Sequence, residues 1–204
     1  MTTSQRVLAF LLYCVAFIVG AVLMGFEMLG SRYLFPYFGS GSGTWASLIS
    51  TVLCALAIGY FAGSALITRY PSQRTIATAI LIAAAYLAVV PSTADTLMSA
   101  IMHKIGYGEY PTLLASIALL LVPLSLLGTF SPIAVGLLTR STHDAGRVAG
   151  IVYGVSTIGN VFGTLLTTFT LIPTIGSREI TYYFALTLAL CAGALFLTPV
   201  RRTT

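Results

Sequence analysis

Charged residues are too scarce in this sequence for a water-soluble domain. Only 7% of the 204 residues are charged, whereas 57% are hydrophobic. A soluble domain carries roughly 25% charged residues, because its surface must face water. A lipid bilayer removes that requirement. The composition therefore predicts an integral membrane protein, with the lipid bilayer as its first partner.

Cysteine and histidine are also scarce, and their placement excludes several kinds of site. Cys14, Cys54 and Cys191 lie within apolar runs, at spacings that suit neither a disulfide framework nor a metal site. His103 and His143 have no Cys or carboxylate at metal-ligand spacing. No constellation for nucleophilic catalysis is recognisable. We therefore expect no metal, no cofactor and no catalytic residues, and we predict that the protein is not an enzyme.

Long apolar runs are what the sequence has in abundance. A transmembrane helix needs about 20 mainly apolar residues. Six stretches reach roughly that length, at residues 7–30, 45–68, 75–93, 111–138, 148–172 and 180–200. Because the fourth contains Pro123 and Pro132, we expect a tilt or a kink there, with the freed carbonyls covered by neighbouring helices. The fold class is all-α: a polytopic membrane helix bundle of about six transmembrane helices, forming one domain over residues 1–204.

The distribution of basic residues predicts the orientation of the bundle. The ten Lys and Arg residues are scattered rather than gathered into a stripe, which argues against nucleic acid as a partner. With the N-terminus inside, the inner flanks hold Arg6, Arg69, Arg74, Arg140, Arg147, Arg201 and Arg202, and the outer flanks hold Arg32, Lys104 and Arg178. This excess predicts a multi-pass protein of a bacterial-type inner (plasma) membrane, with cytoplasmic N- and C-termini.

The sequence also repeats itself. A shift of 100 residues aligns 58–66 with 158–166, and four of the nine positions are identical. Each block lies in the middle helix of a three-helix half, and tandem halves with an odd number of spans must have opposite orientations. The pattern favours two inverted repeats, 1–93 and 111–204. Residues 94–110 between them read as an amphipathic interfacial helix on the membrane surface.

Small residues predict where helices pack closely. Glycines four residues apart form a flat groove that admits the backbone of another helix. The residues predicted to serve in helix packing are Gly59, Gly63, Gly150, Gly154, Gly159, Gly163 and Asn160. Packing within the bundle is one use of these faces, and a homodimer through one of them is the other.

Glu27 is the one acidic residue within a predicted span. A charge inside the bilayer costs several kcal/mol, so it is normally paired or lines a wet cavity. Arg32 follows five residues later, ahead of Pro36, which we expect to end the helix. A bend at Gly30 and Ser31 would bring Arg32 back to Glu27. Two interpretations stay open: a structural ion pair that fixes the bend, and a ligand or coupling site at the outer face.

Several strings resemble the membrane domain of fused spermidine synthase-like (polyamine aminopropyltransferase-like) proteins. The first-loop signature of that domain is matched by residues 26–32 (FEMLGSR), 35–40 (FPYFGS) and 44–46 (TWA). Its later half is matched by residues 131–132 (SP), 146–150 (GRVAG), 156–164 (STIGNVFGT) and 172–176 (IPTIG). The resemblance covers nearly the whole chain, in the right order.

The resemblance implies a link to polyamines, but it carries over no catalytic residue. Proteins of that family commonly carry a soluble aminopropyltransferase domain after the helices, and this sequence ends at Thr204 without one. Kinship of fold does not establish activity. We expect a membrane module without aminopropyltransferase activity of its own, which binds or transports a small solute or anchors and serves a separately encoded enzyme. The alternative is a structural subunit of a larger membrane protein complex.

Overall fold

The computed structural model describes residues 3–139 and 141–198, with side chains from residue 6 onward. Six helices long and apolar enough to cross a membrane follow one another along the chain. They are α1 (Thr3–Phe38), α2 (Ser42–Arg69), α3 (Gln73–Ile105), α4 (Glu109–Leu138), α5 (Ala145–Thr174) and α6 (Ser177–Leu197). No strand occurs in the described ranges. The predicted all-α membrane bundle of six spans is therefore confirmed. Arg140, Arg201 and Arg202, which entered the count of basic flanks, lie outside the described residues.

The first helix differs from the sequence-based prediction at its outer end. A bend at Gly30 and Ser31 was expected, but α1 continues as one helix through Pro36 to Phe38. Pro36 lacks the N–H that a regular helix would donate to the carbonyl of Arg32, and only two residues follow it in the helix. The helix ends where Gly39 takes a positive φ of 75° and its N–H bonds the carbonyl of Phe35 at 3.0 Å. The prediction that α1 bends and brings Arg32 back to Glu27 is therefore wrong.

The third helix also runs further than predicted. Residues 94–105 continue α3 rather than forming a separate helix on the membrane surface. Met98 and Ile101 are buried in the bundle core, so the apolar face of this stretch packs on protein instead of on lipid headgroups. At 33 residues, α3 is about 50 Å long and reaches beyond the hydrocarbon layer. Proline is tolerated within it at Pro91.

The fourth helix accommodates Pro123 by widening. Residues Ile117–Leu121 form a π-helical turn just before the proline, which lacks the N–H that a regular helix would donate. The hydroxyl of Tyr86 on α3 donates to the carbonyl oxygen of Ala118 in that turn, at 2.5 Å. A neighbouring helix thus covers a carbonyl at the proline, as membrane packing requires. A second π-helical turn, Thr167–Leu171, precedes Pro173 on α5 and was not predicted.

Glycines set two of the main helix contacts. On α2, a Cβ atom added to Gly59 would lie 2.9 Å from Gly128 Cα, and one added to Gly63 would lie 2.7 Å from the carbonyl oxygen of Thr129 on α4. On α5, a Cβ at Gly163 would overlap the backbone of Ala21 on α1. The pairs α2–α4 and α1–α5 therefore pack backbone against backbone, which only residues without a side chain allow.

The third main contact, α3 with α6, is held by polar groups at both ends. At one end, Gln73 Nε2 donates to the carbonyl oxygens of Leu195, at 2.9 Å, and of Thr198. At the other end, Arg178 forms an ion pair with Asp95. Arg178 thus pairs across helices. These contacts close the bundle around α1.

Candidate functional site

Glu27 lies on α1, the helix that contacts each of the other five. Its side chain is 7% exposed, and its neighbours Phe26 and Leu29 are fully buried. Among the residues that the structure describes, none forms a hydrogen bond or ion pair with the Glu27 carboxyl group. An acidic group inside a membrane bundle without a partner is energetically costly, and such groups mark functional sites by default.

Arg32 is not the partner of Glu27. Its side chain is exposed, whereas that of Glu27 is buried. Positions five apart on a straight helix lie about 140° apart around its axis, and α1 has no break between them. Within the described part of the chain, the one ion pair joins Asp95 to Arg178. The structure therefore separates the two residues that the sequence analysis grouped into one site.

Packing one turn from Glu27 shows which helices surround it. A Cβ atom added to Gly30 would lie 3.2 Å from a methyl group of Leu120 on α4 and 3.3 Å from one of Leu48 on α2. A Cβ added to Gly25 would lie 2.7 Å from Thr167 Oγ1 on α5. Leu120 and Thr167 belong to the two π-helical turns. Both widened turns therefore contact α1 within three residues of Glu27 along the chain, but Gly25 lies about 160° from Glu27 around the helix, so the turn of α5 faces the opposite side of α1.

Four buried side-chain oxygens on α2, α4 and α5 have no hydrogen-bond partner among the described residues. They are Thr51 Oγ1 on α2, Ser125 Oγ on α4, and Asn160 Oδ1 and Thr167 Oγ1 on α5. Other helical hydroxyls in the chain, such as that of Ser116, donate to the carbonyl one turn earlier. Leaving a buried polar group without a partner costs about 1–3 kcal/mol. A polar ligand that contacted these oxygens would recover that free energy.

Three of these four residues are not among those predicted from the sequence. Thr51, Ser125 and Thr167 occur within long apolar runs and carry no charge, so they did not stand out. Thr51 lies four residues from both Ser47 and Ala55, and all three are buried on α2. This spacing puts them on one helical face, which is the signal that could have found Thr51. Asn160 was predicted to serve in helix packing, and its Oδ1 makes no hydrogen bond to any described residue.

The predicted packing glycines fall into two groups. Gly59 and Gly63 lie against the backbone of α4, and a Cβ added to Gly159 or Gly163 would lie 3.0 Å or less from the backbone of α1. Gly150 and Gly154 have nothing within 4 Å of an added Cβ. These two glycines therefore face away from the other described helices, although Val152 between them is buried and Tyr153 contacts Tyr60 on α2. Only 17% of the most apolar 18-residue stretch of α5 is buried within the bundle.

Other polar features lie away from Glu27. A groove of about 470 Å³ lies between the N-terminal ends of α2 and α4 and is lined by Ser42, Ser50, Glu109 and Tyr110. The Glu109 carboxylate is in the first turn of α4, where the helix dipole stabilises a negative charge. Among the described residues, no three His, Cys, Asp or Glu side chains gather into a group that could hold a metal ion. Glu27 with its surrounding helices is therefore the candidate site.

Comparisons with known proteins do not identify a function for this site. No family model, no curated protein and no solved structure matches the chain.

Proposed function

We propose that the chain is a multi-pass membrane module that binds or transports a small cationic solute at Glu27. The observation that carries this proposal is the burial of Glu27 inside the bundle with no basic partner among the described residues. A cation bound there would neutralise the charge of the carboxylate. It would also compensate for the contacts with water that the carboxylate loses on burial. Arg32 is excluded from this proposed site because its side chain is exposed.

An internal repeat supports a transport role. Gly159 and Gly163 approach Phe17 and Ala21 on α1, as Gly59 and Gly63 approach Ser125 and Thr129 on α4. The spacing of four residues is the same on all four helices. If α1–α3 and α4–α6 are inverted repeats, α1 corresponds to α4 and α2 to α5, so the two contacts are equivalent. Many transporters bind their substrate at the interface between such repeats, near the bilayer midplane.

A structural role in a larger complex is the second candidate function. The observation that favours it is the exposed N-terminal part of α5, where Gly150 and Gly154 lie open. Glycines spaced in this way suit the approach of another membrane helix. The partner would be a second copy of the chain, another membrane subunit or a separately encoded enzyme that the chain anchors. Co-purification of another membrane chain in stoichiometric amounts would favour this role.

Orientation in a bacterial-type inner membrane is also part of the proposal. The excess of basic residues on one set of flanks predicts that both termini are cytoplasmic. Reporter fusions after Ser42, Lys104 and Arg178 should read as periplasmic, and fusions after Arg74, His143 and Thr204 as cytoplasmic. A fusion after Thr204 that reads as periplasmic would contradict this orientation.

Uptake into proteoliposomes tests the proposed function. The purified chain should take up at least one small cation from a panel of Na⁺, K⁺ and putrescine, faster than protein-free liposomes and with saturation. Putrescine belongs in the panel because residues 26–46 and 131–176 include the strings that resemble the membrane domain of spermidine synthase-like proteins. Rates equal to those of protein-free liposomes for every cation, and no cation binding in detergent, would reject the proposal.

A further inference from the structure

The groove between the N-terminal ends of α2 and α4 contains one charged side chain, that of Glu109. A Cβ atom added to Gly43, in the first turn of α2, would lie 3.4 Å from Glu109 Cγ and 3.6 Å from its Oε1. The carboxylate of α4 thus lies against the start of α2. Among the residues that the structure describes, none forms an ion pair or a hydrogen bond with it. The negative charge of the groove is therefore available to a cationic group.

Serine hydroxyls of α2 line the same groove, at Ser42, Ser47 and Ser50. The hydroxyl of Ser47 donates to the carbonyl oxygen of Gly43 at 2.8 Å and can still accept a hydrogen bond. Ser42 and Ser50 are exposed, and their hydroxyls form no hydrogen bond with any described residue. The groove thus combines one carboxylate with several hydroxyl acceptors, which suits a group that has more than one N–H donor.

The groove lies at the depth of lipid headgroups. With 28 residues in α2 and 30 in α4, the two helices are about 42 and 45 Å long. These lengths exceed the hydrocarbon layer of about 30 Å and match a bilayer with its headgroup layers, which is about 40–45 Å thick. The first turns of both helices therefore lie among the headgroups. Trp45 and Tyr110 are exposed at this level, where aromatic residues are enriched in membrane proteins.

An exposed apolar surface continues from the groove toward the membrane interior. Leu113 lines the groove, and Ile117 lies one turn further along the same face of α4. On α2, Leu53 follows Ser50 by three residues, and these three apolar side chains are between 36% and 62% exposed. Further inward the two helices meet, because a Cβ added to Gly59 would lie 2.9 Å from the backbone of α4. The space between them therefore opens toward the headgroups, with apolar side chains beneath.

Hydrogen-bonding capacity and charge select one class of ligand for this groove. A primary ammonium has three N–H donors, for the carboxylate and for hydroxyls, whereas a quaternary ammonium has none. Quaternary ammonium groups are bound by cages of aromatic rings, and among the described residues that line the groove Tyr110 is the one aromatic. The first N–H groups of α2, at Ser42 and Gly43, have no acceptor within their own helix and suit phosphate oxygens. The volume of about 470 Å³ is in the usual range of small-molecule sites.

We propose that this groove binds a phospholipid of the surrounding bilayer whose headgroup ends in a primary ammonium, as in phosphatidylethanolamine. The ammonium binds Glu109 and the serine hydroxyls, the phosphate lies at the start of α2, and an acyl chain follows Leu113 and Ile117. A soluble amine would reach the same carboxylate but would leave the apolar surface beneath the groove uncovered. This inference goes beyond cation binding at Glu27 and does not depend on it.

Thermal unfolding of the full chain in detergent tests the inference. The melting temperature is followed against the concentration of phosphatidylethanolamine, and of phosphatidylcholine and phosphatidylglycerol with the same acyl chains. A ligand that binds only the folded state raises the melting temperature with its concentration. We expect phosphatidylethanolamine to reach half-saturation at a concentration about 10-fold lower than the other two lipids, because a hydrogen bond to a charged group contributes about that much affinity. Free ethanolamine at the same concentrations should leave the melting temperature unchanged.

Two variants of the groove and two matched controls make the outcomes decisive. Glu109→Gln should raise the half-saturating phosphatidylethanolamine concentration about 10-fold, and Ala46→Phe, which fills the groove, should abolish the response. Glu179→Gln removes an exposed carboxylate from the start of α6, and Ala57→Phe adds the same ring at an exposed position of α2 outside the groove. Both controls should keep the wild-type response.

Three results would overturn the inference. They are equal responses to phosphatidylethanolamine and phosphatidylcholine, a wild-type response in both groove variants, and stabilisation by free ethanolamine at the same concentrations as the lipid. If Glu109→Gln does not fold, Ala46→Phe decides alone, and an unchanged response in it has the same meaning. Cation uptake is measured separately, so a failure of this inference leaves the proposed function standing, and the reverse also holds.

Discussion

Replacing Gly163 with alanine should lower the free energy of unfolding by about 3 kcal/mol, the upper part of the usual range for overpacking. The added Cβ would lie 2.5 Å from the carbonyl carbon and the Cα of Ala21, and would overlap the carbonyl oxygen of that residue. These are backbone atoms of α1 and cannot rotate away. The two helices must therefore separate, and the packing between them is lost along their length.

Gly154→Ala is the matched control for this change. Both glycines lie on α5, but an added Cβ at Gly154 meets nothing within 4 Å. Alanine has a higher helix propensity than glycine, so this variant should be neutral or slightly stabilising. Unfolding of both variants by titration with a denaturing detergent gives the comparison. Equal stability of Gly163→Ala and wild type would contradict the packing of α5 on α1.

Glu27→Gln should reduce cation uptake into proteoliposomes at least about 10-fold while leaving the fold intact. Glutamine keeps the volume of the side chain but removes the charge that attracts the cation. Because Glu27 has no basic partner among the described residues, its neutralisation leaves no opposite charge buried alone. The matched control is Glu179→Gln at the exposed start of α6, which should keep wild-type uptake.

A double change separates this account from a structural ion pair. If Glu27 and Arg32 were paired, Glu27→Gln would lower stability, and adding Arg32→Met would recover part of the loss. Since Arg32 is exposed and forms no ion pair with any described residue, the effects of the two changes on the free energy of unfolding should simply add. Recovery of stability in the double variant would show that the two residues do form a pair.

The six spans could be predicted from sequence because each depends on a single strong signal. A run of about 20 apolar residues decides whether a segment crosses the bilayer, and tertiary packing hardly changes that decision. The prolines were harder to interpret. Pro36 was expected to end α1, whereas the helix continues for two residues beyond it. Pro123 was expected to produce a kink, and a π-helical turn precedes it. The effect of each proline on the helix depended on its position within that helix.

The segment after Pro91 shows a second limit of sequence analysis. An apolar face at helical spacing packs equally well on a membrane surface or on another helix. In the structure Met98 is fully buried, and the ion pair of Asp95 with Arg178 ties this end of α3 to α6. The partner of that face is distant in sequence, so periodicity alone could not identify it.

The candidate site was only partly accessible from sequence. Glu27 stood out because a charge is rare in an apolar run, but its nearest basic residue in sequence was taken as its partner. Because α1 is one continuous helix, the two residues point in different directions around its axis. Thr51 carries no charge, and its buried hydroxyl makes no hydrogen bond to any described residue. Only the packed structure shows that state.

Infrared difference spectroscopy of the reconstituted protein tests most directly whether Glu27 binds a cation. The spectrum without Na⁺ is subtracted from the spectrum with Na⁺, and choline serves as the reference cation. Direct contact of the ion with the carboxylate should change the carboxylate stretching bands, and those changes should be missing from Glu27→Gln. Difference bands of the same size in wild type and Glu27→Gln, or none in the wild type when the measurement is repeated with K⁺ and putrescine, would contradict the account.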